Sequence, residues 1–584
     1  MIRRPWRPNP ILYLVALCFV GFWYAPSTLG ITDLDEGLYA ACARDMARTG
    51  DWITPRVNGE PFYEKPPLLY WLSAASIKLL GPTERAVRLP SGIAATALVI
   101  ITYLFGLKYI GRRAAFIAGA ALALAPMTAA AGRLATTDAA LCLLLSGCLY
   151  SSYLSVRSDT TGRTYWSLAA WVCAAFGTLA KGAPAIVIPV AILGLHYLVV
   201  RRARPVGQQR RRLLISTLVG LGLFVVIVAP WHVAVWRANG QPFVDEYIVR
   251  QHIGRFRGGD TAHHAPLWFY GPAFLAGFFP WSVVALAGLF ARRPSLNAAG
   301  PSISEPPPDQ DVLTFLRLWF GVVFVIFSAG GSKLVSYILP LYPAAALLAG
   351  HWLARATMPE SRARPLIVTG IAGAAIVGSL FACLLFPAPV IEVVNRYADR
   401  PVRLSSVDAE WLNLAAAMAG VLTAGLGAMA GLAMARRVRL VPNALILTML
   451  AFFLVALHLG LPTAQRAMIG SLHAVTRRAA AVAGDRGALI IALPGPRRPS
   501  VLYYLPDAML ARRAVVEIDA QDGTVGSAVA LLRSRHVVSD RLVAIVSASA
   551  ARPSDIDQCQ PTVIAQAGPY LITSLFAPPH GGQP

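Results

Sequence analysis

Carboxylates and cations alternate with aromatic residues in one stretch of the chain, Asp33 to Trp71, which lies between two apolar segments. It reads DLDEGLYAACARDMARTGDWITPRVNGEPFYEKPPLLYW. Asp35 and Glu36 directly follow the first apolar segment, and carboxylates in such a place can accept a proton, bind a metal ion or simply be solvated. A connection between two segments needs only turn residues, so this density of charge indicates a functional site.

A lysine near the end of this stretch is held by its neighbours in the sequence. Lys65 lies in FYEKPP, where Glu64 precedes it and two prolines fix the backbone after it. A lysine in such a place offers a point charge to a phosphate group. The alternative is that its ammonium group reaches into the headgroup layer of a membrane.

Two more polar segments follow much later in the chain. In VDEYIVRQHIGRFRGGDTAHHAPLWFYGP, His252 is a candidate metal ligand, although a single histidine is more often structural. Arg255 and Arg257 can bind a phosphate through paired hydrogen bonds. In GGSKLVSYILPLYP, Lys333 and Tyr337 stand at the predicted boundary of a helix.

Two single ionisable residues stand at predicted ends of apolar segments. They are Asp138 in RLATTDA and Lys181 in LAKGAP. Ionisable groups within or beside a membrane span are costly, so they tend to have a functional reason. Asp138 therefore joins Asp35 and Glu36 as a candidate catalytic carboxylate.

The composition determines which elements must position these residues. Hydrophobic residues make up 56% of the 584 residues, charged residues 14%, and the mean hydropathy is +0.56. A soluble domain carries about 25% charged residues. Apolar runs of roughly 18 residues or more recur along the chain, which is long enough to cross a bilayer as helices. The sequence predicts a mainly α, polytopic helical membrane protein.

The distribution of arginine predicts the topology. The formal charge of +23 resembles that of a nucleic-acid-binding protein, but the arginines cluster in short loops between apolar segments, where they set membrane orientation. We therefore expect no nucleic acid partner and a cytoplasmic N-terminus. Alternate loops then lie outside the cytoplasm, including 30–85 and 232–266. We predict about thirteen spans, near 11–29, 86–107, 114–131, 138–155, 165–180, 183–200, 213–235, 267–290, 312–330, 335–354, 365–387, 411–435 and 441–461.

The chain is predicted to have two domains. Residues 1–462 form the transmembrane domain with its two long external loops, and residues 463–584 form a small soluble α/β domain on the same external side. Within the second, ALIIAL, AVVEI, RLVAIVS and YLITSLF are typical of strands, and SVLYYLPDAML and GSAVALLRSRH of helices. Every polar cluster described above falls on the external side, which independent structural residues would not be expected to do.

Four motifs carry a family resemblance. DEGLYA, GDWITPRVNGEPFYEKPPLLYWL, RQHIGRF with HAPLWFY, and SKLVSYILPLYP resemble, in this order, the bacterial aminoarabinose–lipid A transferase family. That family belongs to the GT-C membrane glycosyltransferases and is related to protein O-mannosyltransferases. The resemblance covers about residues 10 to 360. It implies a polyprenyl-phosphate-linked sugar as donor, a lipid or protein as acceptor, contact with membrane lipid, and transfer on the periplasmic face of the bacterial inner membrane.

The resemblance also implies roles for particular residues. Asp35 matches the essential carboxylate of the family, and Lys65 matches the lysine that contacts the donor phosphate. Arg255 falls in the EHxxRF motif, and Tyr337 matches a tyrosine at the donor phosphate. The predicted phosphate-binding set consists of Lys65, Arg255, Arg257, Lys333 and Tyr337.

Metal binding and sugar identity depend on further positions. The resemblance implies a divalent metal ion held by Glu64 and His252. The motif's glutamate is Gln251 here, and Leu38 replaces the arginine of DETRYA. The loss of that arginine removes a cation from the expected donor pocket, so a neutral sugar is as compatible with this sequence as aminoarabinose.

These residues lead to a mechanistic hypothesis and to two alternatives. An acceptor hydroxyl attacks the anomeric carbon opposite the phosphate, with Asp35 as base, which predicts inversion. The cations stabilise the charge that grows on the departing phosphate. A transporter or flippase for a charged lipid would instead require polar residues deep in several spans and matched halves. A scaffold whose C-terminal domain binds a partner would leave FYEKPP without a role.

Overall fold

The structure is a computed structural model, and the residues that it describes fall into two compact units. The first comprises Met1–Pro26, Glu64–Leu68 and Pro90–Gly460, and the second Ser27–Tyr63, Leu69–Leu89 and Leu461–Pro584. The described residues are 9–25, 29–33, 35–158, 160–200, 208–254, 265–291, 310–358, 363–385, 409–465, 472–493, 498–520, 523–537, 539, 541–547, 553, 555–567 and 570–575.

Helices make up almost all of the first unit, as apolar segments require when no water is present to satisfy the backbone. Several stretches depart from α-helical geometry, among them a π-helical segment at Val244–Gly254 and a 3₁₀ helix at Val335–Leu341. The main helices are Pro10–Cys18, Glu84–Tyr109, Arg112–Ala123, Pro126–Arg133, Thr137–Arg157, Thr160–Lys181, Pro184–Val200, Gln208–Asn239, Tyr270–Gly277, Trp281–Phe290, Gln310–Ala329, Tyr342–Ala356, Arg364–Leu385, Ala409–Met434 and Val441–Val455.

Among the described residues, seven helices are long and apolar enough to cross a membrane, or up to nine if each of two bent pairs is one span. The predicted mainly α membrane architecture is confirmed. The predicted count of about thirteen is higher, partly because several apolar segments fold as short helices such as Pro184–Val200. Two other predicted spans are bent, by 59° before Pro126–Arg133 and by 118° before Trp281–Phe290. A proline lies at each break, where its ring cannot continue the preceding helix.

Small residues allow the helices of this unit to approach closely. The helix Tyr342–Ala356 packs against Arg112–Ala123, and both present buried alanines. A Cβ atom at Gly350 would lie 2.3 Å from the carbonyl oxygen of Ala114. Such contacts replace the hydrophobic effect as the source of packing between membrane helices.

The second unit contains the predicted α/β region. Its five-stranded sheet consists of β3 (Ala488–Leu493), β4 (Val515–Asp519), β5 (Leu542–Ser547), β6 (Thr562–Ala567) and β7 (Tyr570–Leu575), after a short hairpin of β1 (Arg56–Val57) and β2 (Glu60–Pro61). The strand order is β4-β3-β5-β7-β6, in which β3 is parallel to β4 and β5, and β7 is antiparallel to its neighbours. The four predicted strands are β3, β4, β5 and β7, and the sequence analysis missed β6.

Helices complete the second unit. The predicted helix in SVLYYLPDAML is a 3₁₀ helix, Pro499–Tyr504, followed by a short α-helix, Asp507–Ala511. The predicted helix in GSAVALLRSRH is found at Val525–Ser534. The remaining helices are Asp35–Thr49, Leu68–Leu80 and Leu472–Ala483.

The polar stretch near the N-terminus packs with the C-terminal sheet. The backbone N–H of Ser500 donates to Asp33 at 3.0 Å, and Asn58 donates to the carbonyl oxygen of Val515 at 2.9 Å. The sequence analysis placed loop 30–85 in the transmembrane domain, whereas the structure groups 27–63 and 69–89 with residues 461–584. The physical reason is that polar side chains of the loop satisfy backbone groups of the sheet and its 3₁₀ helix.

Candidate active site

A cavity of about 540 Å³ in the first unit gathers several of the predicted site residues. Glu64, Lys65, Asp138 and Tyr337 line it, and so does Lys181. Most of the other lining side chains are apolar: Leu141, Val187, Ile188, Ile253, Ile326, Phe327 and Pro340. Two carboxylates and two ammonium groups therefore face a space with mainly apolar walls.

Two helix ends bring one carboxylate and one lysine together. Asp138 lies in the first turn of Thr137–Arg157, and Lys181 is the last residue of Thr160–Lys181. The Nζ atom of Lys181 donates to Oδ1 of Asp138, and both side chains are nearly buried. The same Nζ lies 4.7 Å from the centroid of the Tyr337 ring. An ion pair away from water keeps both charges only while both partners are present.

Lys65 is positioned by the backbone next to it. Its side chain is buried, and Nζ donates to the carbonyl oxygen of Glu64 at 3.3 Å. The prolines at 66 and 67 precede the helix that begins at Leu68. Because their fixed φ angles restrict the chain, the lysine side chain is held at the cavity, as expected for a phosphate contact.

Lys333 lies beside the cavity but does not line it. The side chain is buried, and Nζ donates to the carbonyl oxygen of Gly330 at 2.7 Å. Gly330 and Ser332 do line the cavity. The predicted phosphate contact of Lys333 stays a prediction, because the geometry gives it a contact with the backbone of the cavity wall.

Asp35 and Glu36 belong to the second unit and differ sharply from each other. Asp35 is exposed at the start of its helix, whereas Glu36 is 2% exposed. Arg88 donates from Nε to Oε1 of Glu36 at 2.7 Å and from Nη2 to Oε2 at 2.8 Å. The backbone N–H and the hydroxyl of Thr32 also donate to Oε2, each at 2.8 Å. This geometry indicates a structural role for Glu36 and leaves Asp35 as the accessible carboxylate of the pair.

The π-helical segment Val244–Gly254 contributes Gln251 to the cavity. Its side chain is buried and donates from Nε2 to Oε1 of Glu246 at 2.6 Å. The backbone of His252 belongs to the same segment, but its side chain lies outside the described residues, as do Arg255 and Arg257. The predicted roles of these three residues stay predictions.

The predicted metal site can be compared with the structure in part. Glu64, one of the two predicted ligands, lines the cavity. The side chain of His252, the other, is not described. Among the described residues, no group of three or more His, Cys, Asp or Glu side chains could hold a metal ion. Metal binding by Glu64 and His252 therefore stays a prediction.

Three residues that form buried polar contacts in the structure had no predicted role. Lys181 was noted only as a polar group at the end of a span, and the signal that could have identified it is a lysine enclosed between two apolar helices. Arg88 lies one turn after Glu84 at the start of a long helix, where its charge next to an apolar run was a usable signal. Gln251 was noted only as a substitution in a motif.

Comparison with known proteins identifies the fold. Residues 64–233 match the family model described as dolichyl-phosphate-mannose-protein mannosyltransferase. This part of the chain is similar to that family. The predicted resemblance to a family related to protein O-mannosyltransferases is thereby confirmed. The matched segment contains Glu64, Lys65, Asp138 and Lys181 of the cavity.

Relatives and solved structures extend this result. The chain is 30% identical over 324 residues to the undecaprenyl phosphate-alpha-4-amino-4-deoxy-L-arabinose arabinosyl transferase of Pectobacterium carotovorum, covering 55% of this chain and 54% of that protein. It is 26% identical over 391 residues to the enzyme of the same name from Shewanella sediminis, covering 65% and 64%. The matches thus span between about half and two thirds of the length of these two relatives.

Crystal structures of ArnT from Cupriavidus metallidurans show the same fold. The structure bound to undecaprenyl phosphate matches with a TM-score of 0.70 at 21% identity, and the apo structure with a TM-score of 0.71, in both cases over 97% of each chain. This likeness confirms the predicted fold class, a multi-pass helical membrane protein with a C-terminal α/β region.

Proposed function

We propose that this protein transfers a sugar from a polyprenyl-phosphate donor to an acceptor of the cell envelope. The observation that carries the proposal is the cavity in which Lys65 and Lys181 lie among apolar side chains. A polyprenyl phosphate has an anionic headgroup on a hydrocarbon chain, and this cavity offers a matching set of groups. The relatives named for arabinosyl transfer from undecaprenyl phosphate support the same reaction class.

The cations stabilise the phosphate as the leaving group. As the bond between the anomeric carbon and the phosphate breaks, negative charge grows on the phosphate, and preorganised donors at that place lower the barrier. Lys65 and Lys181 supply ammonium groups, and Tyr337 supplies a hydroxyl. Arg255, Arg257 and Lys333 are further proposed contacts. A phosphate leaves readily, so no general acid is required.

One carboxylate acts on the nucleophile, and another positions a lysine. Asp35, which is exposed, accepts the proton of the acceptor hydroxyl or orients it. A single displacement opposite the phosphate inverts the anomeric carbon. Asp138 acts through Lys181 and is therefore a positioning residue, since its carboxylate holds the lysine beside Tyr337.

A lipid A-like lipid is the acceptor that the resemblance of the motifs to the aminoarabinose–lipid A transferase family favours. The family model describes protein mannosyltransferases, which makes protein O-glycosylation the second candidate. We place the reaction and the α/β unit on the periplasmic side of the inner membrane, because the arginine-rich loops alternate with the proposed site loops. A divalent metal held by Glu64 and His252 would add positive charge near the donor phosphate.

The test uses the full chain purified in lipid or detergent. Radiolabelled polyprenyl-phosphate sugars are offered with lipid A or with peptides, and the product is separated from the donor. Transfer that depends on Lys65, shown by a loss of about a hundredfold or more in Lys65→Ala with its fold intact, supports the proposal. Near-normal turnover in that variant contradicts it. Movement of the donor between leaflets without transfer supports a flippase instead.

A further inference from the structure

Among the described residues, one side chain that lines the cavity has a polar atom without a hydrogen-bond partner. The side chain of Gln251 lines the cavity and is 7% exposed. Its Oε1 atom is fully buried and accepts no hydrogen bond from any residue that the structure describes. A buried acceptor without a donor costs free energy, and a bound group that supplies a donor recovers it.

The direction of this amide is determined by its neighbours. Nε2 of Gln251 donates to Glu246 at 2.6 Å, and Glu246 accepts from Arg250 at 2.9 Å. A carboxylate only accepts, so the nitrogen of the amide must face Glu246 and the oxygen must face away from it. Glu246 and Gln251 are five residues apart in the π-helical segment Val244–Gly254. The π-helical repeat, in which hydrogen bonds join residues five apart, places both on one face of the segment.

The chemistry of the proposed donor restricts what can approach this oxygen. The hydrocarbon chain has no hydrogen-bond donors, and the ionised phosphate diester only accepts. Of the three parts of a polyprenyl-phosphate sugar, only the glycosyl group carries hydrogen-bond donors. A hydroxyl group can donate to a neutral carboxamide oxygen without bringing a charge into the cavity.

A sugar ammonium group would bind less favourably at the same contact. Its charge would leave water for a mainly apolar cavity and meet a neutral oxygen instead of a carboxylate, which is costly. The charge of Glu246 is already engaged by Arg250 and by the amide of Gln251. The contact at Gln251 is therefore suited to a neutral sugar.

We propose that Gln251 is a specificity residue of the donor site, and that its Oε1 accepts a hydrogen bond from a hydroxyl of a neutral glycosyl group. This inference rests on the proposed function, because it assumes that a polyprenyl-phosphate sugar occupies the cavity. Glu246 is a positioning residue, since it fixes the direction of the amide.

The experiment compares a polyprenyl-phosphate hexose with analogues in which one hydroxyl is replaced by an amine. One analogue is tested for each hydroxyl position of the sugar ring. We expect the wild type to prefer the neutral donor at the contacted position. Gln251→Met, which keeps the volume and removes the acceptor, should lower kcat/KM for the neutral donor about tenfold. Gln251→Glu combined with Glu246→Gln, in which the new carboxylate faces an amide and not a second carboxylate, should shift the ratio of kcat/KM toward the amino sugar about tenfold or more.

Gln241 provides the matched control. It is also a glutamine next to an acidic residue, since Nε2 donates to Asp245 at 2.8 Å, but its side chain is exposed and it does not line the cavity. Gln241→Met and Gln241→Glu should leave kcat/KM for both donors unchanged. Glu246→Gln, which lets the amide of Gln251 turn, should weaken the preference for the neutral donor while the melting temperature stays within a few degrees.

The outcomes separate this inference from the proposed function. Wild-type transfer that favours the amino sugar at every position, or a ratio unchanged in both Gln251 variants, overturns the inference and leaves the function standing. An absence of transfer from every polyprenyl-phosphate donor overturns the function and this inference with it. Competition between the two donors on the wild type gives the preference directly, so the result does not depend on the folding of a variant.

Discussion

Replacing Lys181 by methionine removes one charge of the buried ion pair and leaves Asp138 behind. Both side chains are little exposed, at 12% and 11%. Removing one partner of such a pair costs about 3–5 kcal/mol, because the remaining charge has no compensation. Lys181→Met should therefore lower the free energy of unfolding by this amount, and Asp138→Asn should do the same for the opposite charge.

The double variant separates stability from catalysis. In Asp138→Asn with Lys181→Met both charges of this pair are removed together, so most of the stability should return. Activity should not return, because the ammonium group beside Tyr337 is absent at the proposed phosphate site. We expect kcat/KM to stay about tenfold to a hundredfold below the wild type.

The assay is thermal and denaturant unfolding of the four proteins together with sugar transfer by each. Arg157 and Asp311 form a control pair at 2.6 Å with side chains that are 26% and 37% exposed. Arg157→Met should cost about 1 kcal/mol or less and leave transfer unchanged. A double variant with wild-type activity would refute the role of Lys181, and single variants as stable as the wild type would refute the argument from burial.

Three further predictions concern packing, pH and metal. Gly350→Ala should lower the free energy of unfolding by about 1–3 kcal/mol, since the new Cβ would lie 2.3 Å from the oxygen of Ala114, whereas a Cβ at Gly427 meets no atom within 4 Å, so Gly427→Ala in the same assay should have little effect. Burial lowers the pKa of His473 from 6.5 to about 4. The contribution of this residue to the free energy of unfolding is therefore greatest above pH 6.5 and falls by about 3 kcal/mol toward pH 4. His473→Gln should flatten the pH dependence of the free energy of unfolding, and an unchanged pH dependence would contradict this assignment. If Glu64 and His252 hold a divalent ion, a chelator should lower transfer and added metal should restore it, while Glu64→Gln should lose the response to both; full transfer after exhaustive chelation would argue against the metal.

Local sequence was enough for the class of protein and for most elements. Long apolar runs predict membrane helices because transfer free energies add along a segment. Short apolar runs such as ALIIAL predict strands that are covered on both faces, and β3 is buried at every position. β6 was missed because only its first three residues, Thr562 to Ile564, favour a strand, and this edge strand depends on pairing with β7. The bends before residues 126 and 281 were not predicted. The length of an apolar run does not show how a proline within it bends the helix.

The candidate site divides in the same way. FYEKPP and its neighbours identified Lys65 and Glu64 by residue type, and the structure places both at one cavity with Asp138 and Tyr337. Only the tertiary structure pairs Asp138 with Lys181, 43 positions later in the chain, and only it engages Glu36 with Arg88. Residue types and short spacings are properties of the chain itself, whereas the partner of a buried charge is decided by which distant elements pack together, and that depends on the whole fold.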